Sequence, residues 1–308
     1  MPGFLLQRAG QALVTILGVA TLIFFIQRLT GDPTYLLVPE TATKADIDAL
    51  RHSLGFDRPL FVQYLGFLAD LARFDLGQSV VQRVPVIDII ASRLPYTLML
   101  AGGALTVACG IGIPVGILLA LFRDSAAAKV AAGLVLAAQS MPTFWSGILL
   151  ILLFAVTLGW LPPSSTGGFS HLVMPSVALG LLSMATFARI TRAALMEELT
   201  RDYVRTARAR GVGPTRLLLR HVARNAAIPI ITVAALEISN LLAGAVIVET
   251  VFAWPGLGQV TVQAILARDF LVVQGVVMLG ALVTVGLNLL SDFLYSIVDP
   301  RIALGAGR

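Results

Sequence analysis

Charge is what this chain has least of. Only 13% of its 308 residues are Asp, Glu, Lys or Arg, roughly half the share of an average soluble domain. With 57% hydrophobic residues and a mean hydropathy of +0.88, that scarcity excludes a water-soluble globule and predicts an integral membrane protein. Cysteine is nearly absent as well. Cys109 stands alone in an apolar run, which excludes a disulfide framework and reads as a small buried hydrophobe. The three histidines, His52, His171 and His221, are far apart, and neither His-Glu-x-x-His nor a cysteine cluster offers a metal site. No Gly-x-x-x-x-Gly-Lys-Ser/Thr run occurs, so no phosphate-cradling loop for ATP is readable. Nucleophile elbows and paired-carboxylate sites are missing too. An enzyme reading would rest on intramembrane acids alone.

What the sequence has in abundance is long apolar runs. Six of them are expected to span a bilayer, at 9–29, 96–122, 130–158, 172–190, 226–251 and 271–297. The first follows Arg8 and ends in Gln27-Arg28-Leu29-Thr30 with no small-x-small cleavage site, so it is read as a retained span rather than a signal peptide. The chain then divides into an N-terminal span (1–29), a polar segment (30–94) and a five-helix core (95–308). The polar segment opens with the turn signal Gly31-Asp32-Pro33. Thr43 caps a predicted helix from Lys44, and Pro59 starts another whose Leu60, Tyr64, Leu68 and Leu71 share one face. That reads as a small helical cap on the membrane surface, or as a mere connection.

Inside the spans a few residues stand out. Gly112-x-x-x-Gly116 in the second allows close helix approach. Gln139-Ser-Met-Pro142 puts a helix-breaking proline mid-span in the third, either lining a pathway or only packing. Glu237 lies about eleven residues into the fifth, where a carboxylate costs about 2.5–3.5 kcal/mol. It is expected to face a cavity, a polar partner such as Asn240 or Gln139, or a partner subunit, or to be protonated. Glu249 falls near the outer end of that span, where it is more easily solvated; Trp254-Pro-Gly-Leu-Gly258 after it is expected to be a turn with an aromatic anchor.

The positive charge is concentrated. From Arg189 to Arg224 there are nine arginines against Glu197, Glu198 and Asp202, while the loop after the third span, Trp160–Gly168, has no Lys or Arg. The contrast places the arginine-rich loop (191–225), Arg123, Lys129 and both termini in the cytoplasm. Within the loop, Leu195, Leu199, Tyr203 or Val204, and Ala207 recur at helical spacing. Gly211 can stop that helix and Pro214 can start the next. The product is an elbow with a small apolar tip among positive charges. It can enter a groove on another protein or lie on anionic lipid.

Asp202-Tyr-Val-Arg-Thr-Ala-Arg-Ala-Arg-Gly211 with Arg224-Asn-Ala-Ala-Ile-Pro229 resembles the cytoplasmic loop of permease subunits of bacterial binding-protein-dependent ABC importers, in the oligopeptide/dipeptide/nickel branch. The likeness runs along nearly the whole chain. It takes in Thr30-Gly-Asp-Pro33, Leu54-Gly-Phe-Asp-Arg-Pro-Leu60, Phe74-Asp-Leu-Gly77, Arg93-Leu-Pro95, Val248-Glu-Thr-Val-Phe252, Pro255-Gly-Leu-Gly258 and Asp299-Pro-Arg301. One departure is visible: the first acidic letter of the loop signature is replaced, Arg205-Thr-Ala207 standing in its place.

The resemblance implies an all-α membrane protein of the type I ABC importer permease fold, with an extracytoplasmic cap between helices one and two. It implies a multi-pass inner-membrane subunit that carries di- or oligopeptides, with nickel, glutathione or opine-like solutes as alternatives. Residues 202–214 would couple to a separate ATPase through Asp202, Tyr203, Ala207, Gly211, Val212 and Gly213. Gln139, Pro142, Glu237 and Asn240 are the pathway candidates. The implied partners are a paralogous second permease, two ATPase subunits that bind ATP and Mg, an extracytoplasmic substrate-binding protein and membrane lipid. This chain needs no cofactor of its own on that reading. A reading from another class is a secondary transporter that works alone on an ion gradient, with Glu237 as its proton carrier. The lack of a readable internal repeat weighs against it.

Overall fold

The computed structural model describes residues 2–30, 43–53, 55 and 57–298. The regular elements in it are helices; among the described residues the β contact is an isolated bridge between Gln78 and Pro85. In chain order they are α1 (Pro2–Thr30), α2 (Lys44–Ser53), α3 (Leu60–Ala72), α4 (Val86–Leu121), α5 (Ala126–Ser140) and α6 (Thr143–Leu150, continued by a π-helical stretch, Ile151–Thr157). There follow α7 (Phe169–Thr200), α8 (Asp202–Ala209), α9 (Pro214–Val251, with π-helical turns at Leu217–Val222), α10 (Leu257–Leu266) and α11 (Phe270–Val298). The Gly31-Asp32-Pro33 turn, Leu54, Phe56 and Asp299-Pro-Arg301 lie outside the described residues.

The expected all-α membrane architecture is the one the chain adopts. Four helices are long and apolar enough to cross a membrane: Val86–Leu121, Phe169–Thr200, Pro214–Val251 and Phe270–Leu290. The pair α5 and α6 makes a fifth if counted as one span, and α1 carries a shorter apolar stretch, Gly10–Ile26. Three local readings need correction. The second span begins at Val86 rather than 96, because Val86, Ile89 and Ile90 are buried while Asp88 points outward; an amphipathic helical turn precedes the apolar run. The third span is broken, not kinked: α5 and α6 meet at 107°. Pro142 disfavours helix for the residue before it, so Met141 is extended (φ −82°, ψ 125°) and a new helix starts at Thr143. Finally, the stretch after Trp254 is a turn only as far as Gly256; Leu257–Leu266 is a ten-residue helix.

The chain forms two compact units, one of Met1–Pro95 with Val260–Gly286, the other of Tyr96–Gln259 with Leu287–Arg308. In the first, Ala20, Ile23 and Met278 are buried together, with Phe67, Leu68 and Leu71 packed against them. Tyr64 and Thr21 share a 2.7 Å hydrogen bond, and Phe24 touches the rings of Tyr64 and Phe67. The predicted face of α3 is thus used through Tyr64, Leu68 and Leu71, whereas Leu60 stays exposed. Gly77 ends the Phe74-Asp-Leu-Gly motif in the left-handed region (φ 76°), donating its N–H to Asp75 Oδ1 at 2.9 Å. The loop beyond it is clamped by the buried Asp269. Its carboxylate accepts from Ser79 Oγ (2.5 Å) and from the N–H groups of Val80 and Val81 (3.3 Å each).

The second unit is centred on Leu100, Ala104, Met174, Leu179, Leu241, Val248, Phe252 and Trp254, drawn from α4, α7, α9 and the turn after it. Lipid supplies no hydrophobic drive between helices, so close backbone approach has to do the binding. A Cβ at Gly112 would lie 2.5 Å from the Met184 carbonyl oxygen, and one at Gly116 would lie 2.6 Å from that of Ala188. The Gly-x-x-x-Gly pair read from the sequence is therefore the contact line between α4 and α7.

Candidate coupling surface

The arginine-rich loop folds as the elbow its punctuation predicts. α8 closes on a left-handed glycine: Gly211 has φ 77°, its N–H donates to Arg208 O (2.9 Å), and the next N–H, of Val212, donates to Ala207 O (3.1 Å). This is the paired bonding of a Schellman cap, and Val212 and Ala207 both pack against the buried cluster around Val204. Gly213 then offers its carbonyl to Leu217 N (2.9 Å), and Pro214 opens α9 at a position where a missing N–H costs nothing.

The apolar tip expected of this elbow is not on its outside. Val204 is 0% exposed and sits with Ala194, Leu195, Leu217, Val222 and Ala226, while Leu199, Tyr203, Ala207 and Val212 pack around that cluster. The stripe anchors α8 to its own protein. What faces outward is polar and basic: Asp202, Arg205, Thr206, Arg208, Ala209, Arg210, Gly211 and Gly213. Arg205 lies 3.7 Å from Asp202, both exposed, a pair worth little in water. Among the described residues Arg208, Arg210, Arg216 and Arg220 form no ion pair. The elbow thus presents a polar, positively charged outer face. Among the described residues no cluster of three His, Cys, Asp or Glu could hold a metal.

Beneath that face lies a polar knot. Glu198, in the last turn of α7, accepts from Tyr203 Oη (2.6 Å), Asn225 Nδ2 (3.3 Å) and Arg201 Nε (2.9 Å). Arg201 also donates to Glu197 (2.8 Å). Burial, then the neighbouring Glu198 carboxylate, push the Tyr203 hydroxyl above its ordinary pKa, so it remains a donor at neutral pH. Glu198 had no distinguishing signal in the sequence beyond being an acid in a basic loop; Asn225 was visible only as part of a motif.

The pathway candidates come together only in part. Glu237 is 8% exposed, in α9. It accepts hydrogen bonds from Ser183 Oγ of α7 and from Asn240 Nδ2 (3.3 Å), so the interhelical partner is Ser183 and the helical neighbour Asn240. No hydrogen bond joins Gln139 to it among the described residues, and Pro142 acts as the break described above. Glu249 overturns the expectation of a solvated acid: it is 0% exposed. Its carboxylate accepts from Thr97 Oγ1 (2.6 Å), Gly258 N (2.6 Å) and Gln259 N (3.1 Å), and Thr97 Oγ1 in turn accepts from Leu257 N (2.8 Å). A carboxylate and a hydroxyl thereby cap the first turn of α10, whose free N–H groups and dipole favour negative charge.

A helix pair bent at Pro142, a long helix ending in a basic elbow, and a short capped helix before the last span make a specific combination. Residues 112–304 match the family of binding-protein-dependent transport system inner membrane components, and residues 1–101 match its N-terminal companion. The chain belongs to this family. It is 38% identical to the di/tripeptide transport system permease protein DppB of Pseudomonas aeruginosa, over 98% of this chain and 99% of that one. With the dipeptide transport system permease protein DppB of Escherichia coli it shares 37% identity, over 97% and 98% of the two chains. Among solved structures it resembles the inward-facing MetNI methionine ABC transporter (TM-score 0.60, 19% identity, covering 68% of this chain and 96% of that one). It also resembles an amino acid ABC transporter crystallised with histidines (TM-score 0.52, 20% identity, 67% and 92%). These structural likenesses concern the fold. The chain is an inner membrane component of the binding-protein-dependent transport system kind, and its relatives are named transport system permeases.

Proposed function

We propose that this permease forms half of the translocation pathway of an ATP-driven importer for di- and oligopeptides. On this reading the outward face of the 202–214 elbow docks on a separate ATPase subunit. The observation that carries it is the Schellman-capped α8, whose arginines face outward on a rigid mount, in a chain of this family. The peptide assignment leans on the names of full-length relatives at 37–38% identity. The remaining partners are a paralogous second permease, two ATPases that bind ATP and Mg, and an extracytoplasmic binding protein that delivers the solute. The excess of arginine in the loop supports a cytoplasmic elbow and cytoplasmic termini, with residues 30–94 on the other side as the cap. Glu237 and Asn240, with Gln139 and Pro142, line the pathway.

The test is uptake by the complete transporter in proteoliposomes carrying Gly211→Val. A Cβ at Gly211 meets nothing within 4 Å, so the variant acts through backbone strain and not through a clash. A β-branched residue at φ 77° costs roughly 1–2 kcal/mol, enough to unwind the cap and misdirect the arginines while the chain still inserts. ATP-driven peptide uptake is expected to fall about five- to thirtyfold. Uptake at the wild-type rate, or uptake by this chain without ATPase subunits, would overturn the proposal; the second outcome would favour gradient-driven transport.

A further inference from the structure

We infer that Glu198 is a positioning residue for energy coupling: its carboxylate latches the elbow to two membrane helices at once, so that a push on α8 is delivered to both α7 and α9. The inference rests on the proposed docking of α8. Glu198 belongs to α7, Tyr203 to the first turn of α8, and Asn225 to α9, and the two donors lie on one carboxylate oxygen while Arg201 occupies the other. Asn225 also reaches Tyr203 Oη (3.4 Å), closing a triangle of three elements. Glu198 is 9% exposed, so its carboxylate is largely withdrawn from water, and its bonds to Tyr203 and Asn225 are part-buried.

A second observation separates a latch from ordinary packing. The knot is not enclosed. A cavity of about 440 Å3 opens beside it, bordered by Ala194, Glu197, Ile228 and Pro229 as well as by the knot itself. The Tyr203 ring packs against the Val204 cluster on one side and borders this free space on the other, and its hydroxyl adds the polar hold on α7 and α9. Tyr203 then serves coupling from the inside, through its oxygen, rather than as a contact on the docking face. Arg201, which links Glu198 to Glu197, sets the carboxylate's orientation.

The experiment uses the whole transporter, with both permeases, the ATPases and the binding protein, in proteoliposomes, and measures ATP hydrolysed per peptide taken up. Tyr203→Phe removes one oxygen and leaves the ring. It is expected to raise the ATP-to-peptide ratio about fivefold, the factor that loss of one hydrogen bond corresponds to. Glu198→Gln keeps an acceptor for Tyr203 and should uncouple less than Glu198→Leu, which keeps none. If Glu198→Leu does not assemble, Tyr203→Phe decides. A merely structural role would lower the amount of assembled transporter and leave the ratio per assembled complex unchanged, and that result would overturn the latch. The outcome for Gly211→Val separates the two failures. If it lowers uptake as expected while Tyr203→Phe keeps the wild-type ratio, the latch alone is wrong; if both behave as wild type, the docking of α8 is wrong.

Discussion

Glu249→Ala is expected to be the most damaging single truncation in this chain. The carboxylate is wholly buried and satisfies the Thr97 hydroxyl and the N–H groups of Gly258 and Gln259. Deleting it leaves those donors without acceptors where water does not reach, at roughly 1–3 kcal/mol for each. The first turn of α10 has no slack to compensate, since a Cβ at Gly258 would lie 2.3 Å from the Cα of Val246. Thermal unfolding of the purified permease in detergent should begin many degrees lower, and α10 should exchange its amide protons early. Glu249→Gln retains one acceptor oxygen and should fall between the two. Equal melting of the alanine variant and the wild type would refute the capping role.

Gly116→Leu is expected to be nearly as severe for a different reason. Its Cβ would enter the space of the Ala188 carbonyl oxygen and the Thr191 side chain, each 2.6 Å away. Backbone cannot rotate aside as a side chain does, so α4 and α7 must separate, and overpacking of this kind costs about 1–3 kcal/mol even where the core yields. The same helix provides its own control. Gly110 and Gly102 meet nothing within 4 Å, and leucine there should leave the yield of monodisperse protein unchanged. Equal yields from Gly116→Leu and Gly110→Leu would show that close approach does not hold these helices together.

How much of this was legible in the residues follows from the range of the interactions. The elbow was, because Gly211 and Pro214 act on their own backbone within a few positions. The membrane class was, because it is a sum over composition. Glu249 is not legible because its partners Thr97 and Gly258 lie in two other helices, α4 and α10, the second of which begins inside the Trp254–Gly258 stretch that reads as a turn. The stripe on α8 was recognised as apolar but given the wrong neighbour; periodicity says that a face is buried, not against what. Pro142 was seen as a disturbance whose size, 107°, depends on what Met141 does and not on the proline alone. The Glu198 knot joins residues up to 27 positions apart, with no period or motif to announce it.

The Asp269 clamp has a temporal consequence. The residues it fixes, Ser79 to Val81, lie 188 to 190 positions earlier, so they leave the ribosome long before their anchor exists. Contacts so distant along a chain form late. The stretch around Ser79 must therefore wait unfastened through most of synthesis, and a transcript cut short before its final helices would leave the early part of the protein as unfinished as the late part.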